Sequence, residues 1–251
     1  MAIVQGYDGS RHAPTSAVAS KAKKGGHKKE EVYADRVDGE VIKGTQKPDV
    51  KIFGSPNRSS VKGPKKNIQL YLCSVDSGEK FYGLGSSVHN FQVAAQKHKQ
   101  FKVDNDGMID TDLRDRFVDA ANNAAEWLRK PQNFRSVIVK VLSDDYDANQ
   151  VVILEDKYSD AYVFNMYDVI NQYVFSDYKV HVTDAGKIVF CADGLEIFYM
   201  ETRGSKGKVG SINHGVRAPQ FYSFLKNNLK YHIVTPDGEV VVPLTEDQER
   251  G

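Results

Sequence analysis

The sequence predicts a mixed α/β fold, with a β-sheet of about five strands flanked by helices. Short apolar stretches alternating with polar residues lie before residue 85 and after residue 179, which is typical of half-buried strands. Between them, Thr111–Arg129 has the apolar spacing of a helix. Hydrophobic residues make up 40% of the 251 positions and charged residues 27%, which is ordinary for a globular protein able to bury a sizeable core.

The N-terminal part begins with a segment of little apolar periodicity. Residues 1–24 are rich in Ser, Ala, Lys and Gly, so we expect a flexible basic arm. Residues 27–42 mix helix and turn signals. A strand is predicted at Val50–Phe53, and residues 54–66 after it, G-S-P-N-R-S-S-V-K-G-P-K-K, have the composition of a loop. The strands of a hairpin are expected at Ile68–Val75 and Lys80–Leu84.

Thr111–Arg129 is the clearest predicted helix. Thr111 is its candidate N-cap, and Pro131 follows its end. Shorter helices are predicted at Asn90–His98 and Tyr167–Gln172. The remaining predicted strands are Ser136–Leu142, Gln150–Leu154, Val180–Thr183, Lys187–Phe190 and Glu196–Glu201. A Gly- and Lys-rich loop at 204–211 and an apolar stretch at Gln220–Leu225 complete the pattern.

Charge is distributed unevenly along the chain, although the net charge is only +1. Residues 1–103 carry 18 basic and 9 acidic side chains, a net of +9, and residues 104–251 carry 16 and 24, a net of −8. Within the second part, residues 203–232 contain six basic side chains and no acidic one. Two basic stretches on a nearly neutral chain indicate a surface for a polyanion.

Other classes of protein receive little support. No apolar run approaches the ~20 residues of a membrane span, so no membrane partner is expected. The N-terminus lacks the pattern of a signal peptide, and Cys73 and Cys191 lack metal-binding spacing. We therefore expect a cytoplasmic protein with reduced thiols. No G-x-S-x-G motif indicates a serine hydrolase.

A group of oxygen-bearing residues has the order that a metal-dependent nuclease needs. Such a site uses a carboxylate at the start of a strand, an oxygen ligand on the neighbouring strand and a lysine two positions further on. Asp49 follows Pro48 at a predicted strand start, and Gln69 lies on the next predicted strand. Glu30 and Glu31 lie upstream on a possible helix. The expected cofactor is Mg²⁺.

Several motifs resemble type II restriction endonucleases of the PD-(D/E)xK superfamily that cut four-base palindromes. Those enzymes begin with a G-x-K-x-E helix and A-D-R, and residues 24–36 read K-G-G-H-K-K-E-E-V-Y-A-D-R. Their K-x-D and N-I-Q-x-K steps resemble K-P-D-V-K-I at 47–52 and N-I-Q-L-Y at 67–71. Their C-terminal R-K-G-G-like loop and A-x-x-L-Q-F-like segment resemble 195–208 and 218–225. The resemblance covers residues 24–75 and 187–225.

The resemblance implies a restriction-endonuclease-like fold and a Mg²⁺-dependent enzyme that cleaves double-stranded DNA at a short palindrome, in restriction-modification defence. Asp49 and Gln69 would be the metal ligands and Glu30 the helix acid, with Glu31 the alternative. It also implies a single nuclease domain over 25–251, with a catalytic core at 25–145 and a DNA-recognition part at 179–235. A monomer and a homodimer both stay open.

One departure concerns the family's lysine, whose position is Tyr71 here. A phenol has a reference pKa of ~10 and cannot replace an ammonium beside a developing oxyanion. Lys80, on the predicted partner strand, is the preferred substitute. Cleavage by metal ions alone, and DNA binding without efficient cleavage, are the other two interpretations.

The expected DNA contacts lie in the two basic stretches. Lysines and backbone amides position phosphates, whereas Arg, Asn and Gln can read base edges. The candidate DNA-binding residues are Lys24, Lys28, Arg203, Lys206, Lys208, Asn213, His214, Arg217 and Gln220.

Two alternative functions remain at this stage. Tyr71 and Tyr82 have the spacing of a GIY-YIG nuclease, but residues 88–100 lack the arginine which that class requires. A non-catalytic DNA- or RNA-binding protein would use the same basic stretches.

Overall fold

A computed structural model describes residues 27–42, 48–64, 68–73, 85–143, 147–192, 194–205 and 208–243. Of residues 68–73, 85, 140–141, 202–205 and 208–214, only the backbone is described. The fold is mixed α/β, which confirms the predicted class. Within the described ranges, no helix is both long and apolar enough to cross a lipid bilayer.

The described residues form twelve strands, six α-helices and one π-helical turn. The strands are β1 Gly39–Val41, β2 Val50–Ile52, β3 Arg58–Lys62, β4 Ile68–Cys73, β5 Gln150–Leu154, β6 Ala161–Asn165, β7 Lys179–Val182, β8 Ile188–Ala192, β9 Leu195–Ser205, β10 Lys208–Val216, β11 Tyr231–Val234 and β12 Val240–Val241. The helices are α1 27–36, α2 Gly85–Asp104, α3 Thr111–Leu128, α4 Pro131–Ile138, α5 Met166–Phe175 and α6 Ala218–Asn228. A π-helical turn, Val139–Ser143, follows α4.

The chain divides into two compact units. The mixed-sheet unit comprises the described residues of 16–68, 138–175 and 218–251, and the antiparallel-sheet unit those of 69–137 and 176–217. Each unit is therefore assembled from separate segments of the chain. The predicted single domain over 25–251 stays a prediction, and the predicted arm at 1–24 lies outside the described residues.

The mixed-sheet unit is built on seven strands in the order β1-β2-β3-β5-β6-β11-β12. The pair β3–β5 is parallel, and the other pairs are antiparallel. Helix α1 covers one face, where Tyr33 and Ala34 pack in a cluster with Val50, Val61 and Val152. Burial raises the pKa of Tyr33 to about 12, although a hydrogen bond with Ser59 opposes the rise. The phenol therefore stays neutral in the core.

The opposite face of this sheet is covered by aromatic side chains of α5 and α6. Because strand residues alternate between faces, β3 and β6 send their other residues to this side. Tyr173 of α5 contacts Phe221 of α6, with ring centroids 5.3 Å apart. Tyr222 of α6 contacts Tyr162 of β6 at 5.3 Å. The contacts place α6 against the sheet.

The antiparallel-sheet unit has five strands in the order β4-β10-β9-β8-β7, together with α2 and α3. Its core includes the stacked rings of Phe134, Phe190 and Phe198, with centroids 4.2 to 5.3 Å apart. Helix α3 confirms the clearest predicted helix. Its N-cap is Asp110 rather than Thr111, because the Asp110 carboxylate accepts the backbone N–H of Leu113 at 3.0 Å.

Two apolar stretches form helix rather than strand or irregular chain. Residues 136–142, predicted as a strand, belong to α4 and the π-helical turn. Pro131 begins α4, where its missing N–H costs nothing, and Phe134, Val137 and Ile138 are buried at helical spacing. The apolar stretch at Gln220–Leu225 lies within α6. A short apolar run is too short to show a period of two or of 3.6 residues. The tertiary contacts of its side chains therefore decide whether it forms a strand or a helix.

Candidate active site

Asp49 lies directly before β2, as the sequence predicts, and accepts three hydrogen bonds from β3. Its Oδ2 accepts the backbone N–H of Val61 at 2.7 Å and the Ser60 hydroxyl at 3.2 Å. The Lys62 ammonium donates to the same oxygen at 3.2 Å. Three donors on one carboxylate oxygen fix its position at the start of β2.

Lys62 and Ser60 were missed as site residues. The predicted loop at 54–66 contains β3, whose Ser59 and Ser60 are fully buried. Ser59 donates to Gln150 Oε1 at 2.8 Å and Ser60 donates to Asp49, so these polar side chains are satisfied inside the sheet. Loop-like composition concealed the strand. The signal that could have revealed it is the lysine two positions after Ser60, downstream of Pro48 and Asp49.

The alternation of the strand places Ser60 and Lys62 on one face, and both reach Asp49. The Lys62 and Asp49 side chains are only 13% and 18% exposed, so water screens their attraction weakly. A carboxylate at a strand start, a hydroxyl on the neighbouring strand and a lysine two positions further on therefore lie together. This is the arrangement expected of a metal-dependent nuclease, with Ser60 in the place of the second oxygen ligand.

Gln69 does not occupy the strand beside Asp49. That strand is β3, whereas Gln69 and Tyr71 lie on β4, which belongs to the five-stranded antiparallel sheet. The prediction of Gln69 on the neighbouring strand was therefore wrong. The side chains of both residues lie outside the described set, as does the whole of Lys80. The resemblance places the family's lysine at position 71, where this chain has Tyr71. Lys62, which contacts Asp49, is a candidate for the same role.

The first turn of α1 brings further charged groups to the end of the sheet. The Lys29 ammonium donates to the Leu154 carbonyl, at the end of β5, at 2.9 Å. A Cβ at Gly63 would lie 2.7 Å from this ammonium, so the glycine leaves room for it. Glu30 is 16% exposed and bonded to His27 Nδ1 at 2.9 Å, whereas Glu31 is exposed. Glu30 is thus the less exposed of the two acids.

The oxygen groups around Asp49 fit a weakly held Mg²⁺ ion, whose coordination a substrate phosphate would complete. Among the described residues, no three His, Cys, Asp or Glu side chains gather into a metal-binding group. Mg²⁺ is usually bound by one or two carboxylates, with water and substrate phosphate as the other ligands. Asp49 supplies one carboxylate and Ser60 a neutral oxygen. Such a set can hold the ion beside a phosphate but would not sequester it alone.

Arg217 is committed to contacts within the antiparallel-sheet unit. Its Nε and one terminal nitrogen lie 3.0 Å from Glu196 Oε1, which Lys187 also approaches at 2.9 Å. The Arg217 guanidinium carbon lies 4.6 Å, and the Lys187 ammonium 3.9 Å, from the centroid of the Tyr199 ring. The predicted base-reading role of Arg217 therefore requires that it leave Glu196.

Replacing Glu196 tests how much its contacts with Lys187 and Arg217 contribute to the stability of the fold. Burial disfavours the Glu196 carboxylate, but hydrogen bonds and charge from Lys187 and Arg217 outweigh it and lower the pKa. We expect Glu196→Gln to lose about 1–2 kcal/mol of unfolding free energy in urea titrations at pH 7. The lowered pKa stabilises the wild type above the unfolded value of ~4.3, so the difference should shrink as the pH falls below it.

Glu126→Gln is the matched control for Glu196→Gln. Glu126 also pairs with an arginine, Arg129, but its side chain is 66% exposed. A surface pair of this kind contributes ~0–1 kcal/mol, so little change is expected. Equal losses of unfolding free energy in the two variants would show that the contacts of Glu196 contribute no more than an exposed ion pair.

The remaining predicted DNA contacts are described to different extents. The predicted loop at 204–211 is largely a hairpin of β9 and β10, in which Arg203 pairs with Ser211, Lys208 with Ser205 and Asn213 with Glu201. For Arg203, Lys208, Asn213 and His214 only the backbone is described. Lys28 is exposed on α1, and Gln220 is half-buried in α6. Lys24 and Lys206 lie outside the described residues.

No protein-family model, curated protein sequence or solved structure matches this chain.

Proposed function

We propose that this protein is a Mg²⁺-dependent endonuclease that cleaves double-stranded DNA at a short palindrome. The observation that carries the proposal is the contact of Asp49 with Ser60 and Lys62 across β2 and β3. These residues would combine a metal-binding carboxylate with an adjacent cation, a pair that can promote phosphodiester hydrolysis. The resemblance to restriction endonucleases in residues 24–52 supports the same activity, with restriction-modification defence as its setting.

Each residue of the group has a distinct task in this proposal. Asp49 holds the metal ion, with the Ser60 hydroxyl and Glu30 as further oxygen groups. Lys62 places its ammonium next to the scissile phosphate and stabilises the charge that develops there. A bound Mg²⁺ ion would supply an activated water and neutralise phosphate charge. Because Lys62 contacts Asp49 directly, the hydrogen bond also positions the lysine before substrate arrives.

The DNA contacts proposed from the sequence are compatible with the β9–β10 hairpin. The tip of a β-hairpin is narrow enough to enter the major groove, where base pairs can be distinguished. Arg203 and Lys208 lie near the turn of the β9–β10 hairpin, and Asn213 lies further along β10. We propose that the hairpin reads sequence and that the lysines near α1, including Lys28, contact backbone phosphates.

Digestion of a plasmid of known sequence tests the proposed function. The purified chain is incubated with the plasmid in Mg²⁺ and, separately, in EDTA, and the ends of the fragments are mapped. Discrete fragments that share a short palindrome at their ends are expected in Mg²⁺, with none in EDTA. Fragments that form equally in EDTA, or an absence of both DNA binding and cleavage, would contradict the proposal.

A DNA-binding protein that does not cut is the second candidate. Ser60 favours it, because a hydroxyl brings no negative charge to the metal, whereas a carboxylate would. Binding of duplex DNA without hydrolysis in either Mg²⁺ or Mn²⁺ would select it. The GIY-YIG alternative gains no support, since Tyr71 is described only by its backbone and Tyr82 lies outside the described residues.

A further inference from the structure

A lysine surrounded by three tyrosines lies on the mixed sheet. The Lys226 ammonium of α6 is 4.6 Å from the ring centroid of Tyr162, 5.4 Å from that of Tyr222 and 5.9 Å from that of Tyr231. The Tyr162 ring contacts both other rings, with centroids 5.3 and 5.6 Å apart. All four side chains are half-buried, so each keeps some contact with solvent. These four residues are called the tyrosine–lysine cluster.

The strand register places this cluster in line with the candidate active site. Lys62 of β3 pairs with Ile153 of β5, which pairs with Tyr162 of β6. Residues paired across neighbouring strands lie on the same face of a sheet, so Lys62 and Tyr162 share a face. Two strand spacings separate their backbones by ~10 Å. The cluster and Lys62 therefore lie on the same face of one sheet, with the buried Ile153 between them.

The cluster presents a positive charge in a restricted position. Aromatic faces attract an ammonium without neutralising it, and three rings limit the positions that the Lys226 side chain can take. Burial, the hydrogen bond with Tyr162 and nearby charge, including that of Asp160, raise the pKa of Tyr222, so its phenol stays neutral. The negative charge of Asp160 is shared, because Asp160 also lies near the positively charged Arg36.

We propose that the tyrosine–lysine cluster binds a backbone phosphate of the DNA strand that is cut, close to the scissile phosphate. The ~10 Å between the paired strand positions of Lys62 and Tyr162 is the reason for placing the two phosphates near each other. This inference rests on the proposed function, because it takes the phosphate at Asp49 and Lys62 as its reference point. Positioning a second phosphate would fix the register of the strand across the sheet.

The salt dependence of DNA binding tests the proposal. Affinity for a duplex is measured by fluorescence anisotropy in EDTA, which prevents Mg²⁺-dependent cleavage, over a series of salt concentrations. Neutralising one phosphate contributes ~0.9 to the slope of log affinity against log salt. Lys226→Met keeps the apolar stem against the rings and removes the charge, so the slope should become shallower by ~0.9. Lys226→Arg should keep the wild-type slope.

Lys157→Met is the matched control, since Lys157 is an exposed lysine of the same unit that lies 4.7 Å from the centroid of one tyrosine ring, Tyr158, and outside the two basic stretches. Its slope should equal that of the wild type. An unchanged slope in Lys226→Met, with or without a lower melting temperature, would leave the cluster a purely structural role and overturn the inference. An equal change in Lys157→Met would also overturn it. Failure of the wild type to bind DNA would instead remove the proposed function.

Discussion

Asp49→Asn is expected to abolish Mg²⁺-dependent cleavage of the plasmid while leaving DNA binding largely intact. Asparagine has nearly the same shape, and its amide oxygen can still accept the backbone N–H of Val61 that Asp49 accepts at 2.7 Å. It carries no charge, so the metal loses the carboxylate at the centre of the site. Because metal ions contribute several kcal/mol to such reactions, the rate should fall at least ~10³-fold.

Two measurements make this prediction decisive. The affinity of the Asp49→Asn variant for duplex DNA in EDTA shows whether its DNA-binding surface is preserved. Its melting temperature shows whether the variant is folded. Asp147→Asn is the control, because Asp147 is an aspartate of the same unit that pairs with Arg58, at the opposite end of β3 from Lys62. The Asp147→Asn variant should cut DNA at the wild-type rate. Wild-type cleavage by folded Asp49→Asn would show that the site is misassigned.

Lys62→Met should be the second most damaging substitution. Methionine keeps the length of the apolar stem and removes the ammonium that contacts Asp49 at 3.2 Å. Removing one charge-stabilising donor from an active site typically lowers kcat ~10²–10³-fold. We expect that loss in kcat with little change in KM, because other basic residues hold the DNA. Single-turnover cleavage at saturating protein measures it directly.

Lys80→Met distinguishes between the two lysines. Lys80 is the substitute expected from the sequence, whereas the contact with Asp49 favours Lys62. A normal rate for Lys80→Met, together with a large loss for Lys62→Met, is the expected result. The reverse pattern would return the role to Lys80. Equal and small effects would indicate cleavage that depends on the metal ion without a lysine.

The sequence predicted local features best where one physical signal dominated. Thr111–Leu128 forms a helix because its apolar face recurs at helical spacing, and five residues on that face are buried. The strand at Gln150–Leu154 is confirmed for a similar reason, since an apolar run filled the core. The stretch at 136–142 was misread because a short apolar run fits a strand or a helix equally well.

The candidate site could be predicted only in part. Asp49 was identified from its place after Pro48, which depends on neighbours along the chain. Lys62 was missed because β3 has few apolar residues and is held by buried hydrogen bonds of Ser59 and Ser60. Those bonds join residues distant in sequence, such as Ser59 and Gln150, so composition alone gives no sign of them.

The sequence by itself determined the α/β class, the clearest helix and the uneven charge, and it predicted Asp49 as the leading acidic residue of the proposed site. The tertiary structure decided which strand lies beside Asp49, and therefore that Lys62 contacts it while Gln69 belongs to another sheet. It also decided that Arg217 pairs with Glu196 and that Lys226 lies among three tyrosines. Side-chain identity and spacing reveal periodicity, but strand pairing and charge partners depend on contacts between distant segments.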